Sequence, residues 1–284
     1  MHPAVSLSRA HRFPRRFKRL APASAKFFLT ALAISSLVAC GGSGGDDDGD
    51  TGGNPGGPNP GSGTSSSACF NEADFREGTV SEVEQDTLAP NSEVFKARVT
   101  TTTGPRESFA GANPVRFVRE TYIYATGTGG SERQYVDLVN GKEIRYGSRN
   151  GDENADPMYG RKINHPPIER PVDMQPGEKT ESTTVVETIQ GANDEIRNEE
   201  TVTSTITYIG REALSTPMGI INACKFAGTS HVVYPGGASI DQTSEQWVAA
   251  EGPYRGQELK LAVQDSQQAG IVQFVATKIT YTPK

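Results

Sequence analysis

The sequence predicts an all-β domain: an antiparallel sheet of roughly ten strands with little helix, bent into a curved half-barrel or stacked as a sandwich. Three observations predict it. Apolar and polar residues alternate with a period of two, as in Phe95-Lys96-Ala97-Arg98-Val99. Asn140-Gly141 lies between two such segments, and this pair suits a type I′ hairpin turn, where both positions take positive φ. Gly and Pro clusters separate the segments, and the helical period is nearly absent.

The chain opens differently. Residues 1–26 hold Arg9, Arg12, Arg15, Arg16, Lys18, Arg19 and Lys26 and no acidic residue. Phe27 to Ala39 is mostly apolar. Its length suits the h-region of a signal and falls short of the roughly 20 residues that span a bilayer. The run ends in Leu37-Val38-Ala39-Cys40. These four residues resemble the bacterial lipoprotein signal and match its core without substitution. The resemblance implies a signal peptide over residues 1–39, cleavage before Cys40, and lipid attachment to the Cys40 sulfur. More than one acyl chain gives stable anchoring without a transmembrane helix. Gly41 follows, where an aspartate is the inner-membrane retention signal in enteric bacteria. The resemblance therefore implies an outer-membrane lipoprotein facing the periplasm, with the membrane as a partner through its lipid.

Residues 41–67 read GGSGGDDDGDTGGNPGGPNPGSGTSSS. No aliphatic or aromatic side chain is present to offset the entropy of ordering, so residues 40–67 are predicted to be a lipidated cysteine and a disordered linker. As a Gly-rich coil it reaches about 28 Å. Gly41-Gly42-Ser43-Gly44-Gly45 formally matches a nucleophile elbow, but that motif needs a strand before it and a helix after it.

The folded domain is predicted over residues 68–284. Its 217 residues suit one β-rich unit with a sizeable core, and no second Gly/Pro/Ser-rich linker interrupts it. Asn71–Arg76 is predicted as one short helical turn. Strands are predicted over Glu93–Thr103, Val115–Thr126, Glu132–Val139 and Lys142–Tyr146. Gly147–Glu178, with Pro157, Pro166, Pro167, Pro171 and Pro176, reads as an irregular excursion. Thr180–Gln190 and Glu195–Tyr208 flank a turn at Gly191–Asp194 and form a long hairpin. Ile220–Val233, Thr243–Ala249, Glu258–Gln264 and Ile271–Thr282 complete the set.

Charge and cysteines narrow the setting. Cleavage of the leader leaves 21 basic against 34 acidic residues, a net charge of −13, with four of the aspartates in the linker. An acidic domain argues against a nucleic-acid partner. Three cysteines occur in the chain. With Cys40 lipidated, Cys69 and Cys224 remain, and in an oxidising periplasm they are expected to form a disulfide.

A second pattern lies late in the domain: Gly210-Arg211-Glu212, Thr216-Pro217-Met218-Gly219, Ala223-Cys224-Lys225-Phe226, then Trp247, Gly252 and Lys260. It resembles uncharacterised periplasmic β-rich lipoproteins, some of them similar to the LolA/LolB half-barrel that carries acyl chains. Read from the residues alone, Pro217 and Gly219 make a turn between two strands of a hairpin.

No motif supplies chemistry. The mature chain holds His165 and His231 without metal-ligand spacing, so no catalytic or metal residue and no cofactor is expected. Asp152-x-Asn154-x-Asp156 starts like a Ca²⁺ loop, but Pro157 and Ile163 occupy its sixth and twelfth positions, where glycine and glutamate are needed. The expectation is a lipid-anchored envelope protein binding an apolar ligand or envelope component. The alternative is a structural lipoprotein serving as a protein docking surface; a hydrolase has the least support.

Overall fold

The computed structural model describes residues 65–90, 92–150, 160–190, 196–267 and 270–284. Cys40, the signal segment, the chain up to residue 64 and the Asp152–Asp156 stretch lie outside the described residues.

The domain is all-β, as the alternation predicts. Its strands, in chain order, are β1 (Val80–Leu88), β2 (Phe95–Arg106), β3 (Val115–Ile123), β4 (Thr128–Val139), β5 (Lys142–Asn150), β6 (Arg161–Pro171), β7 (Lys179–Gln190), β8 (Ile196–Thr216), β9 (Gly219–Val233), β10 (Ser239–Ala249), β11 (Glu258–Asp265) and β12 (Val272–Thr282). Each pairs antiparallel with its sequence neighbours, and β1 pairs with β12. The sheet therefore closes into a twelve-stranded up-and-down barrel, one step beyond a half-barrel, and leaves no edge strand open to another chain.

Two strands were not anticipated from the sequence. β1 reads Val-Ser-Glu-Val-Glu-Gln-Asp-Thr-Leu, too polar to stand out, because its outward positions are acidic. β6 lies inside the stretch expected to be irregular and carries His165-Pro166-Pro167, with the His165–Pro166 bond cis. Proline has no ladder N–H, and the β5–β6 register breaks across these residues. Two of the expected turns are present, and the third, Gly191–Asp194, lies outside the described residues. Asn140 and Gly141 take φ of 52° and 72° between β4 and β5. Pro217 and Met218 link β8 to β9, closed by the Thr216–Gly219 pair.

Register fixes which side chains point inward. The pairs Val83–Val99, Phe117–Gln134, Tyr208–Phe226 and Leu261–Phe274 share the inner face. The opposite face carries cross-strand ion pairs, Glu84–Lys278 at 3.1 Å and Lys225–Glu245 at 2.7 Å, and a row of threonines, Thr201, Thr203, Thr205 and Thr207. A membrane-spanning barrel needs an apolar outward band; this one turns charge and hydroxyl outward, as a barrel bathed in water does. Trp247 is an outward exception. Its ring lies between the ammonium groups of Lys225 and Lys260, each 4.8 Å from the ring centroid, and its indole N–H donates to Glu212 at 2.5 Å. A short arm after β2 covers another: Phe109 stacks on Tyr135 at 3.9 Å, and Arg106 grips Asp137 at 2.6 Å.

Twelve strands enclose more space than eight, whose inner side chains alone fill the interior. The segment 65–79 closes one end. It starts with two 3₁₀ turns, Ser66–Cys69 and Glu72–Phe75, the second matching the predicted short turn. Ser66 is buried, donates from Oγ to Val172 O and accepts from Met174 N, both at 2.8 Å. Gly78 N donates to Thr103 O at 2.8 Å. Phe70 is buried in the core, and Phe75 meets Phe117 edge-on at 5.2 Å. Burying one such ring contributes about 1.5–3 kcal/mol. Cys69 and Cys224 form the expected disulfide, with Cα atoms 6.1 Å apart. It ties the plug to β9.

Candidate functional site in the barrel interior

The interior above the plug has two unlike walls. Inward positions on β11, β12 and β2 include the apolar Leu261, Val263, Phe274, Ala97 and Val99, and β1 between them presents Val83 with the polar Gln85 and Thr87. Inward positions on β5 to β8 are more mixed: Ser148, Asn164, Ser182, Thr184 and Ser204 sit among Val186, Val202 and Ile206, and inward Lys162 pairs with Glu200 at 3.8 Å. Both walls follow from the period of two: alternate positions of β2 read Phe95, Ala97, Val99, and those of β7 read Thr180, Ser182, Thr184. Toward the end opposite the plug, inward Ser148, Asn164, Ser204 and Phe274 stay half-buried.

The floor carries buried charge. Arg170, the last inward residue of β6, is only 2 % exposed. Its guanidinium crosses to β9 and lies 4.3 Å from the Phe226 ring centroid and 5.5 Å from that of Phe70. None of its three guanidinium nitrogens has a hydrogen-bond partner among the described residues. Burial lowers its pKa to about 10, Glu143 pulling it back up and Arg145 pushing it further down, so it remains charged at neutral pH. Glu143 sits opposite Arg170 in the β5–β6 ladder, is 1 % exposed, and accepts through Oε1 from Arg145 Nε at 2.5 Å. Its Oε2 has no hydrogen-bond partner.

Across the interior, Gln246 Nε2 donates to Glu258 Oε2 at 2.6 Å, while Gln246 Oε1 is buried without a partner. Burial raises the Glu258 pKa; the bond from Gln246 and the charges of Arg119 and Arg145 oppose that rise. Under the floor, Asp74 accepts from Tyr281 Oη at 2.5 Å and from Gln257 Nε2 at 3.3 Å. Burial raises its pKa to about 7 against both bonds.

His165 and His231 lie on the outer surface, apart from this cluster. His231 Nδ1 is 2.7 Å from Asp241, and His165 Nε2 is 3.6 Å from Glu187. Among the described residues no three His, Cys, Asp or Glu side chains are grouped to hold a metal. Of the residues singled out from sequence, the structure brings Cys69 and Cys224 together. Sequence reasoning missed Arg170, Glu143 and Asp74. The available signal for Arg170 was its parity with Ile168 in an Ile-Glu-Arg run, obscured by the neighbouring prolines.

No family model matches the chain, and no curated protein matches its sequence. Two solved structures are similar to it. One is a candidate lipoprotein from Parabacteroides distasonis, at 11% identity over 72% of this chain and 96% of that one, with a TM-score of 0.40. The other is a candidate exported protein with a YmcC-like fold from Bacteroides fragilis, at 10% identity over 72% of this chain and 96% of that one, with a TM-score of 0.36.

Proposed function

We propose that this chain is a lipid-anchored protein of the bacterial envelope, held at the outer membrane through Cys40, whose barrel binds an apolar ligand without chemically altering it. The observation that carries the reading is the two-walled interior above a plugged floor. Apolar side chains predominate on β11, β12 and β2, and a ligand lying there leaves water in contact with Ser148, Ser182 and Ser204 on the opposite side. The charged outer face fits a water-filled compartment, and the lipobox supplies the address.

The test is organic extraction of the full-length protein purified from membranes, followed by mass spectrometry. Wild type is expected to release a defined apolar compound. Ser204→Phe, which puts a ring into the interior from β8, is expected to release at least tenfold less while keeping the β circular dichroism signal. Equal amounts from both proteins, or nothing from either, would sink the reading.

A second reading rests on the rim opposite the plug. Leu88, Val94, Phe95, Tyr122, Tyr124 and Ile271 are all exposed there, on the turns joining β1–β2, β3–β4 and β11–β12. These neighbouring turns form an apolar patch suited to docking a protein. Val94→Ser with Tyr124→Ser is expected to leave the extracted compound unchanged if the interior is the site, and to abolish a partner complex if the rim is.

A further inference from the structure

The least compensated group in the barrel is Arg170. Glu143 accepts from Arg145 at 2.5 Å and also attracts Arg170. Glu143 faces Arg170 across the ladder, yet no hydrogen bond joins them. The guanidinium has aromatic rings from β9 and the plug against it. Cation–π attraction of a desolvated pair falls short of what removing a cation from water costs. A planar guanidinium with all its donors unused is preorganised for a carboxylate or a phosphate, which it grips with two parallel hydrogen bonds.

The position of this charge is as informative as its sign. Arg170 lies at the plugged end, and the apolar wall formed by Val99, Leu261, Val263 and Phe274 rises from the floor region toward exposed Phe95 and Ile271 at the rim. A cation at the bottom and an apolar strip leading to the mouth are complementary to a molecule with an anionic head and a hydrocarbon tail. On the β5 to β8 wall the inward carboxylate Glu200 lies toward the rim, where it pairs with Lys162 at 3.8 Å, and Ser148, Ser182, Thr184 and Ser204 offer only hydroxyl groups.

We propose that the barrel binds a single-chain amphiphile with a compact anionic head, carboxylate or phosphate, inserted head-first so that the head pairs with Arg170 and the tail lies along the β11-β12-β1-β2 wall. This rests on the reading of the interior as a ligand site and adds its polarity and direction. The guanidinium is sealed from water in this structure, so the head has to displace side chains lying above the floor as it arrives.

Delipidated full-length protein is titrated with palmitate, hexadecyl phosphate and hexadecanol, which share one chain length and differ in the head. At least one anion is expected to bind ten times or more tighter than the alcohol, and the stronger of the two identifies the head. Arg170→Met is expected to erase the preference, and Arg170→Lys to restore part of it. Equal binding of alcohol and anions overturns the proposal and leaves the apolar-ligand reading standing. No binding of any of the three overturns both. A preference that survives in Arg170→Met overturns the assignment to Arg170. A further measurement needs no variant: the carboxyl ¹³C resonance of labelled palmitate bound to wild type. Where palmitate is the tighter of the two anions, its carboxylate beside Arg170 is expected to remain ionised well below the ordinary carboxylate range, and titration at the ordinary pH then overturns the proposal.

Discussion

Replacing Cys69 and Cys224 together by alanine is expected to lower the stability of the domain by about 5 kcal/mol. The two cysteines are 155 residues apart, so the bond closes β1 to β8 into one loop. For a loop of that length the chain-entropy argument gives about 5 kcal/mol, or roughly 10–20 °C of melting temperature in a domain of about 200 residues. The double replacement is the cleaner experiment because it leaves no lone thiol in the core. Urea unfolding of both proteins measures the loss directly. An unchanged midpoint would show that the unfolded chain is not constrained as supposed. Hydrogen exchange adds where the loss falls. Without the bond, the plug is held by the Ser66 contacts, the Gly78–Thr103 bond, Asp74 and the packing of Phe70 and Phe75. Protection at residues 66–78 is therefore expected to fall more than protection in β9, which keeps both neighbouring strands.

The elements that were legible in the sequence are those whose signal is local. The β4–β5 turn follows from Asn140-Gly141, and the β7–β8 hairpin follows from two long threonine-rich runs around a short turn. The disulfide was legible because assigning Cys40 to lipid leaves a single possible pair. Closure of the barrel was not legible. It depends on β1 meeting β12 in register, Val80 with Thr282 and Leu88 with Gln273, a pairing between the two ends of the domain that no local pattern encodes. β1 is also the strand whose outward residues, Glu82, Glu84 and Asp86, make it look like a loop.

The buried charges were hidden for a related reason. Arginine and aspartate in a polar sequence read as solvated by default, and only the fold shows that Arg170 and Asp74 are enclosed. Both lie where the chain departs from simple alternation: Arg170 just after the cis-proline break of β6, and Asp74 in a 3₁₀ turn of the plug. Where the chain fits its segments to the barrel end, polar groups are carried inside. Those groups are the ones left with unusual protonation or without partners.

Asp74→Asn is expected to stabilise the domain at alkaline pH and to flatten its pH profile. Asp74 is 3 % exposed, and its folded pKa is about 7, against about 3.9 in an unfolded chain. Because the folded value is the higher one, the folded state holds the proton more tightly. The stabilisation this supplies is complete below about pH 4 and is lost as pH rises toward 7. The shift of about three units corresponds to about 4 kcal/mol between the two limits. Asparagine keeps an acceptor for the Tyr281 hydroxyl and the Gln257 amide and has no charge to bury. Urea midpoints of wild type and Asp74→Asn at pH 4.5 and pH 8 decide the matter: the variant's advantage should appear mainly at pH 8, and parallel profiles would show that Asp74 does not titrate in this range. Tyr281→Phe removes a donor that stabilises the carboxylate, so it should push the Asp74 pKa up further and steepen the loss of stability with pH. Asp74 lies where the plug meets β12, so the same titration should loosen the plug before the barrel wall, with protection factors at residues 71–78, taken relative to the base-catalysed intrinsic rate, falling between pH 6 and pH 8 in wild type and staying level in Asp74→Asn.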